Sequence, residues 1–304
     1  MKQQTNTLLI ISGPTAVGKT DLCINLAKKF NTFIISADSR QFFKEMNIGT
    51  AKPSPELLQK ATHYFINSLS IHDSYDVRQY ENEVLDLLNL KFPDYNPIIL
   101  SGGSGLYIDA VVVGLDDMPQ IDPKWRMELV FRLEKNGLRP LQEQLQSLDP
   151  VYYATVDLQN PQRIIRALEV CLGTGKRYSS FRTKKKSKRP FKTIKLALAR
   201  DREELYQRIN QRMDQMIAEG LFEEAEKLYP FRTCNALQTV GYTEIFGFMD
   251  GLYDREEAVR LLKRNSRRYA KRQLTWLRKD PEYHWFHPDQ EEKIVDFIYR
   301  QMGL

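Results

Sequence analysis

The 304-residue sequence lacks any apolar run near the roughly 20 residues needed to span a bilayer, so no membrane-crossing helix is expected. Its start, Met1-Lys2-Gln3-Gln4-Thr5, leads directly into a strand-like segment, without the apolar stretch of a signal peptide. A cytoplasmic protein is the expectation. Cysteine is scarce: Cys23, Cys171 and Cys234 stand far apart, with no C-x-x-C pair, which argues against a disulfide framework or a cysteine zinc site. The four histidines show no ligand spacing, and there is no internal repeat. Charge is not scarce. Lys and Arg number 45 against 39 Asp and Glu, a net charge of +6. That balance fits a polyanionic partner, and it fits many ordinary enzymes as well. With 42% hydrophobic residues the chain can build one large α/β core and a smaller second domain.

Short apolar segments alternate with helical ones in the first third. Residues 7–12, 33–36, 64–69 and 97–101 read as strands. Leu22, Leu26 and Ala27 mark a helix over 19–30, and Val84, Leu85, Leu87 and Leu88 mark another. This alternation predicts a parallel sheet covered by helices on both faces. From 116 to 190 no strand is evident, and helical stretches are punctuated by Pro119, Pro123, Pro140, Pro150 and Pro161. Residues 183–190 are strongly basic. The segment 193–199 reads as a returning strand, the C-terminal third as helical, and 283–286 as an edge strand. The expected organisation is a core of residues 1–115 and 191–304, interrupted by a mostly helical insertion at 116–190.

Gly13-Pro14-Thr15-Ala16-Val17-Gly18-Lys19-Thr20 matches G-x-x-x-x-G-K-[ST] between a strand and a helix. Such glycines let backbone N–H groups turn around an anion, and the helix N-terminus adds a favourable dipole. Lys19 supplies a mobile positive charge, and the Thr20 hydroxyl is a candidate Mg²⁺ ligand. A chance match in a chain this long has a probability of roughly one in a hundred. The loop indicates a phosphorylated ligand without saying which.

Asp38 follows Lys19 by 19 positions, one helix and one strand later. In a parallel sheet both then emerge at the carboxyl edge, where ligands bind. A carboxylate beside a diphosphate is repelled unless it serves the second substrate, for instance as a general base for an amine. A helix N-cap or a water-mediated Mg²⁺ ligand is the alternative. The acidic residue that would end a Walker-B strand is absent after 97–100, which weakens an ordinary ATPase reading.

Residues 255–279 hold ten Lys or Arg against two Glu. Arg260, Arg264, Arg267 and Lys271 share one helical face, with Val259, Leu262 and Tyr269 able to face the core. That face is either a phosphate-backbone surface or a solvated charged one. The pairs Arg163/Arg166 and Arg208/Arg212 carry the same ambiguity. Trp276 reads as a core anchor more readily than as a stacking platform.

The stretches Ser36-Ala37-Asp38-Ser39-Arg40-Gln41 and Met46-Asn47-Ile48-Gly49-Thr50-Ala51-Lys52-Pro53, together with Gly13-Pro14-Thr15, resemble those of the tRNA dimethylallyltransferases (tRNA isopentenyltransferases). The likeness continues in order through 102–107, 162–169, 240–242 and 271–278, nearly the whole chain. It implies a P-loop-type α/β fold and transfer of a dimethylallyl group to N6 of the adenosine on the 3′ side of the anticodon. It implies that the P-loop grips the diphosphate of dimethylallyl diphosphate. Asp38 would accept the proton of the adenine amine, Thr15 would lie near the reacting end, and Arg212 would help neutralise the leaving group. Ser39, Arg40 and Gln41 would hold the target adenosine beside Asp38. Ser104, where the family often has threonine, would contact RNA. So would Arg126, Gln162, Arg163, Ile164, Ile165 and Arg166. Further contacts are implied for Gln238, Thr239, Val240, Gly241, Tyr242 and Thr243, and for Lys271, Arg272, Gln273, Leu274, Thr275, Trp276, Leu277 and Arg278. The partners implied are Mg²⁺, dimethylallyl diphosphate and a tRNA anticodon stem-loop, acting on a monomer. The zinc finger at the C-terminus of eukaryotic members has no counterpart, which points to the bacterial type. An adenylate isopentenyltransferase or a P-loop kinase would share the loop, but neither needs the basic helix.

Overall fold

The strand β1 (Thr7–Ser12) is buried along its whole length and lies near the middle of a six-stranded sheet. The computed structural model describes residues 5–183 and 186–304, so Lys184 and Lys185 of the basic segment lie outside the described residues. The other strands are β2 (Ile34–Ser36), β3 (His63–Tyr64), β4 (Ile98–Gly102), β5 (Lys192–Leu198) and β6 (His284–Phe286). Their order is β3-β2-β4-β1-β5-β6, and every pairing is parallel. The expected parallel α/β sheet is therefore present, with 283–286 supplying its edge.

Alternation along β1 explains why both faces need helices. Leu9 and Ile11 join one apolar cluster with Leu22 and Leu26 of the helix Lys19–Lys29. Leu8 and Ile10 join the other, with Tyr80, Val84 and Leu88 of the helix Val77–Lys91. That second helix starts with a capping box, in which Asp76 and Gln79 bond each other's backbone N–H. A third cluster, including Met46, Tyr242 and Leu262, supports the loops beyond the carboxyl edge.

One strand is shorter than its apolar run predicts. β3 has two residues instead of spanning 64–69, because Phe65 and Asn67 take left-handed backbone angles of φ 64° and 55°. The chain turns there, and Leu69 bridges to Phe43 instead.

The chain divides into two compact units, Met1–Val113 with Lys188–Leu304, and Gly114–Ser187. The smaller unit contains helices and, among its described residues, no strand. Its core gathers Leu129, Leu141, Leu145, Ile164, Ile165 and Leu168. Among the described residues no helix is long and apolar enough to cross a membrane.

Candidate active site

β1 ends at Ser12, and the chain wraps around the start of the helix Lys19–Lys29. Ala16 (φ 64°) and Gly18 (φ 109°) are left-handed, which curls the loop back on itself, and the Val17 N–H donates to the Pro14 carbonyl at 3.4 Å. Gly18 caps the helix in a conformation that side-chain-bearing residues rarely adopt. The Lys19 ammonium donates to the carbonyls of Gly13 (2.8 Å) and Pro14 (2.9 Å). Burial, with Arg212 nearby, lowers the Lys19 pKa to about 8, against an opposing pull from Asp38.

Two arginines pin the loop from outside. Arg208 Nε donates to Ala16 O and Arg200 Nε to Val17 O, each at 2.9 Å. The Arg200 side chain is 8% exposed and is held by Asp289 at 2.7 Å and Glu204 at 2.5 Å. Sequence reasoning missed Arg200. The signal was its place just after β5, the neighbour of β1, where any residue emerges beside the loop.

Asp38 follows β2 at the same edge. Its Oδ1 accepts the N–H of Arg40 at 2.9 Å and of Gln41 at 3.4 Å, a tight turn that aims the carboxylate. Burial raises its pKa above the ordinary value, against the pull of those two N–H groups and of Lys19. The Gln41 amide reaches the carbonyls of Thr50 and Ala51 and so ties this turn to the next loop. Ser39 N–H donates to Ser104 Oγ at 3.0 Å.

One cavity of about 190 Å³ is lined by Thr15, Lys19, Thr20, Asp38 and Arg212. Arg40, Gln41, Thr239, Val240 and Gly241 line it too. So do Ser266, Tyr269 and Gln273, three residues from one face of the helix Arg255–Leu277. Tyr269 thus faces the cavity, where the helical pattern assigned it to the core. Burial and the nearby Asp38 push its pKa up to about 12. The cavity holds a cation group, a desolvated carboxylate and apolar wall from Ile209, Met213 and Met216. Such a set can grip a diphosphate, seat a short apolar chain and accept a proton.

The Thr20 hydroxyl is one of several that line this cavity, beside Lys19. Among the described residues, no group of three or more His, Cys, Asp or Glu could hold an ion alone. That donor set fits Mg²⁺, which keeps several waters and leans on substrate phosphates.

Several predicted RNA contacts are placed elsewhere. Ile164, Ile165, Tyr242 and Leu277 are at most 1% exposed, so their side chains build the cores beneath any binding surface. The Tyr242 hydroxyl donates to Glu224 at 2.7 Å. Trp276 packs on Gly105 and donates to Asp109 at 3.2 Å, a packing role. Gln273 is 7% exposed and turns inward. Gln238, Thr243, Lys271, Arg272, Thr275 and Arg278 are exposed, and Leu274 is half-buried against the core. On the basic helix, Arg260 pairs with Glu257 at 2.5 Å, and Arg267 donates to Asn210 at 2.6 Å. The four-residue stripe is therefore not uniformly free. In the smaller unit Arg126 is half-exposed, bonded to Gln162 at 2.7 Å and to Glu169 at 3.2 Å. Arg163 is exposed, and Arg166 reaches the same Glu169 at 3.5 Å.

Comparison with known proteins gives the family. The model described as IPP transferase matches residues 41–280. The match begins after Asp38, so the P-loop and Asp38 rest on motif and geometry. A tRNA dimethylallyltransferase of Christiangramia forsetii is 53% identical over 97% of this chain and 98% of its own length. One from Cytophaga hutchinsonii is 52% identical over 96% of each. The crystal structure of a tRNA isopentenylpyrophosphate transferase from Bacillus halodurans superimposes with a TM-score of 0.71 at 36% identity, covering 98% of this chain and 97% of that one. A eukaryotic dimethylallyltransferase described as acting on tRNA gives 0.70 at 26% identity, over 90% of this chain and 70% of that one. By sequence and by fold, the chain belongs to the IPP transferase family.

Proposed function

We propose that this protein transfers the dimethylallyl group of dimethylallyl diphosphate to N6 of the adenosine 3′ to the anticodon in tRNA, releasing diphosphate. The observation that carries the reading is a single cavity in which the P-loop, Lys19 and Arg212 stand with the desolvated carboxylate of Asp38. The similarity to proteins named tRNA dimethylallyltransferase supports it.

The amine nitrogen forms a bond to C1 of the dimethylallyl chain while the C1–O bond breaks. The electron pair leaves with the diphosphate, and the amine proton passes to Asp38. Negative charge growing on the leaving oxygens is met by Lys19, Arg212 and the loop N–H groups. Mg²⁺ held by Thr20 and water would neutralise diphosphate charge. The Asp38 turn, Ser39 to Gln41, and Tyr269 form the wall at which an unstacked base would be received. Lys271 and Arg272 on the core unit, and Arg126, Gln162 and Arg163 on the helical unit, supply exposed polar and cationic groups for RNA.

The test is incubation with labelled dimethylallyl diphosphate and either unmodified tRNA or AMP. Label in tRNA alone is expected. Label in AMP would indicate an adenylate isopentenyltransferase, and phosphoryl transfer from ATP a kinase.

A further inference from the structure

Gln273 lies on the most basic helix of the chain, yet it faces inward. Its Oε1 accepts the backbone N–H of Thr15 at 2.9 Å, and its Nε2 donates to the carbonyl of Gly103 at 3.0 Å. These partners belong to two different loops at the carboxyl edge, the P-loop after β1 and the glycine turn after β4. The approach is close: a Cβ on Gly103 would lie 2.1 Å from Gln273 Nε2, so a larger residue there displaces the amide. Ser266 and Tyr269, on the same helical face, line the cavity, while Lys271 and Arg272 point to solvent.

We propose that Gln273 is a positioning residue for the transfer: its carboxamide ties the P-loop to the glycine turn and fixes Thr15, and it does not contact RNA. The proposal rests on the reading of the reaction given above. A carboxamide suits the task because one planar group both accepts and donates. Glutamate would accept from Thr15 but repel the Gly103 carbonyl. An apolar side chain would leave two polar groups inside the protein unpaired. With its N–H committed to Gln273, Thr15 is held in place at the mouth of the loop. Lys19 and Arg208 fix other points of the same loop, at Gly13, Pro14 and Ala16. Gln273 is the tie that comes from the RNA-facing helix.

The experiment combines Gln273→Leu, Gly103→Ala, the double variant and Gln273→Glu in the full chain. Three quantities are read: affinity for inorganic diphosphate with Mg²⁺ by calorimetry, kcat/KM for dimethylallyl diphosphate at saturating tRNA, and tRNA affinity by filter binding. Gln273→Leu should lower the first two about 10-fold, the scale of lost buried hydrogen bonds, and leave tRNA affinity within about 2-fold. Gly103→Ala should give a similar loss, and the double variant no more than the worse single, since both remove one contact. Gln273→Glu, ionised at neutral pH because a glutamate carboxyl titrates near about 4.3, should keep the acceptor for Thr15 but lose the donor to Gly103, and so fall below wild type in the first two quantities. A tRNA defect with unchanged diphosphate affinity would overturn the proposal, and so would additive losses in the double variant. If the leucine variants fail to fold, Gln273→Glu decides: wild-type diphosphate affinity and kcat/KM in that variant refute the donor role. Failure of the wild type to prenylate tRNA would instead strike the proposed function, and the diphosphate affinities would still report on the tie.

Discussion

At the scale of single residues, Asp38 and Lys19 define a pH profile. Asp38 must be ionised to accept a proton, and its pKa is raised by burial, so kcat/KM should climb with pH through a value above the usual carboxylate of about 3.9. Lys19 is cationic below about 8 and neutral above it, so kcat/KM for dimethylallyl diphosphate should fall as pH rises past about 8. A profile without an acidic limb would remove the Asp38 assignment, and one that stays flat past about 8 that of Lys19. Asp38→Ala should cost about 10²–10⁴ in single-turnover rate while tRNA affinity stays within a few fold. Lys19→Ala should lose diphosphate-dependent chemistry and still retain tRNA on a filter. The meeting of these two residues was legible because each lies in a short motif just after a strand, and parallel strands deliver such positions to one edge. Arg200 also follows a strand, but it stands in no short motif, so only the pairing of β5 with β1 shows that it reaches the Val17 carbonyl.

At the scale of elements, the helix Arg255–Leu277 serves two surfaces. Its sequence displays cationic periodicity plainly, but the inward set Ser266, Tyr269 and Gln273 has the same helical spacing as an ordinary core face. Only packing against the P-loop side distinguishes a cavity wall from a core. Likewise β3 stops at Tyr64, because a left-handed Phe65 overrides the apolar run that followed it. Among the helix cations, Lys271 and Arg272 are exposed, whereas Arg267 is bound to Asn210 and lies over the Tyr206 ring. Replacing Lys271 and Arg272 by Gln should therefore weaken tRNA binding and flatten its salt slope by roughly 0.7 to 0.9 per phosphate contact. Turnover at saturating tRNA should barely change. An unaltered slope, with normal circular dichroism, would make this a solvated face only. Arg267→Gln should instead lower thermal stability, because it frees a half-buried partner on the neighbouring helix.

At the scale of the whole molecule, the two units carry separate cores. Among the described residues, none of Gly114–Ser187 lines the cavity, so a core lesion in that unit should spare diphosphate binding. Leu168→Ala, at a fully buried site, should cost about 2–5 kcal/mol within that unit. Hydrogen exchange should show loss of protection in 114–187, with prenylation declining through a higher KM for tRNA. Unchanged KM would separate the helical unit from RNA recognition. The sheet itself is assembled from both ends of the chain, since β1 is flanked by β4 and by β5. This sets an order on the ribosome. The phosphate loop is made long before β5, so β1 keeps an open backbone edge until Lys192–Leu198 has emerged. Arg212 and Gln273 come later still. At roughly 5–20 residues per second, that leaves β1 half-paired for on the order of ten seconds or more, a window in which a chaperone can act. The cavity that Arg212 and Gln273 help to line is complete only after that window has closed, so a chain cut off before Gln273 lacks one wall of it.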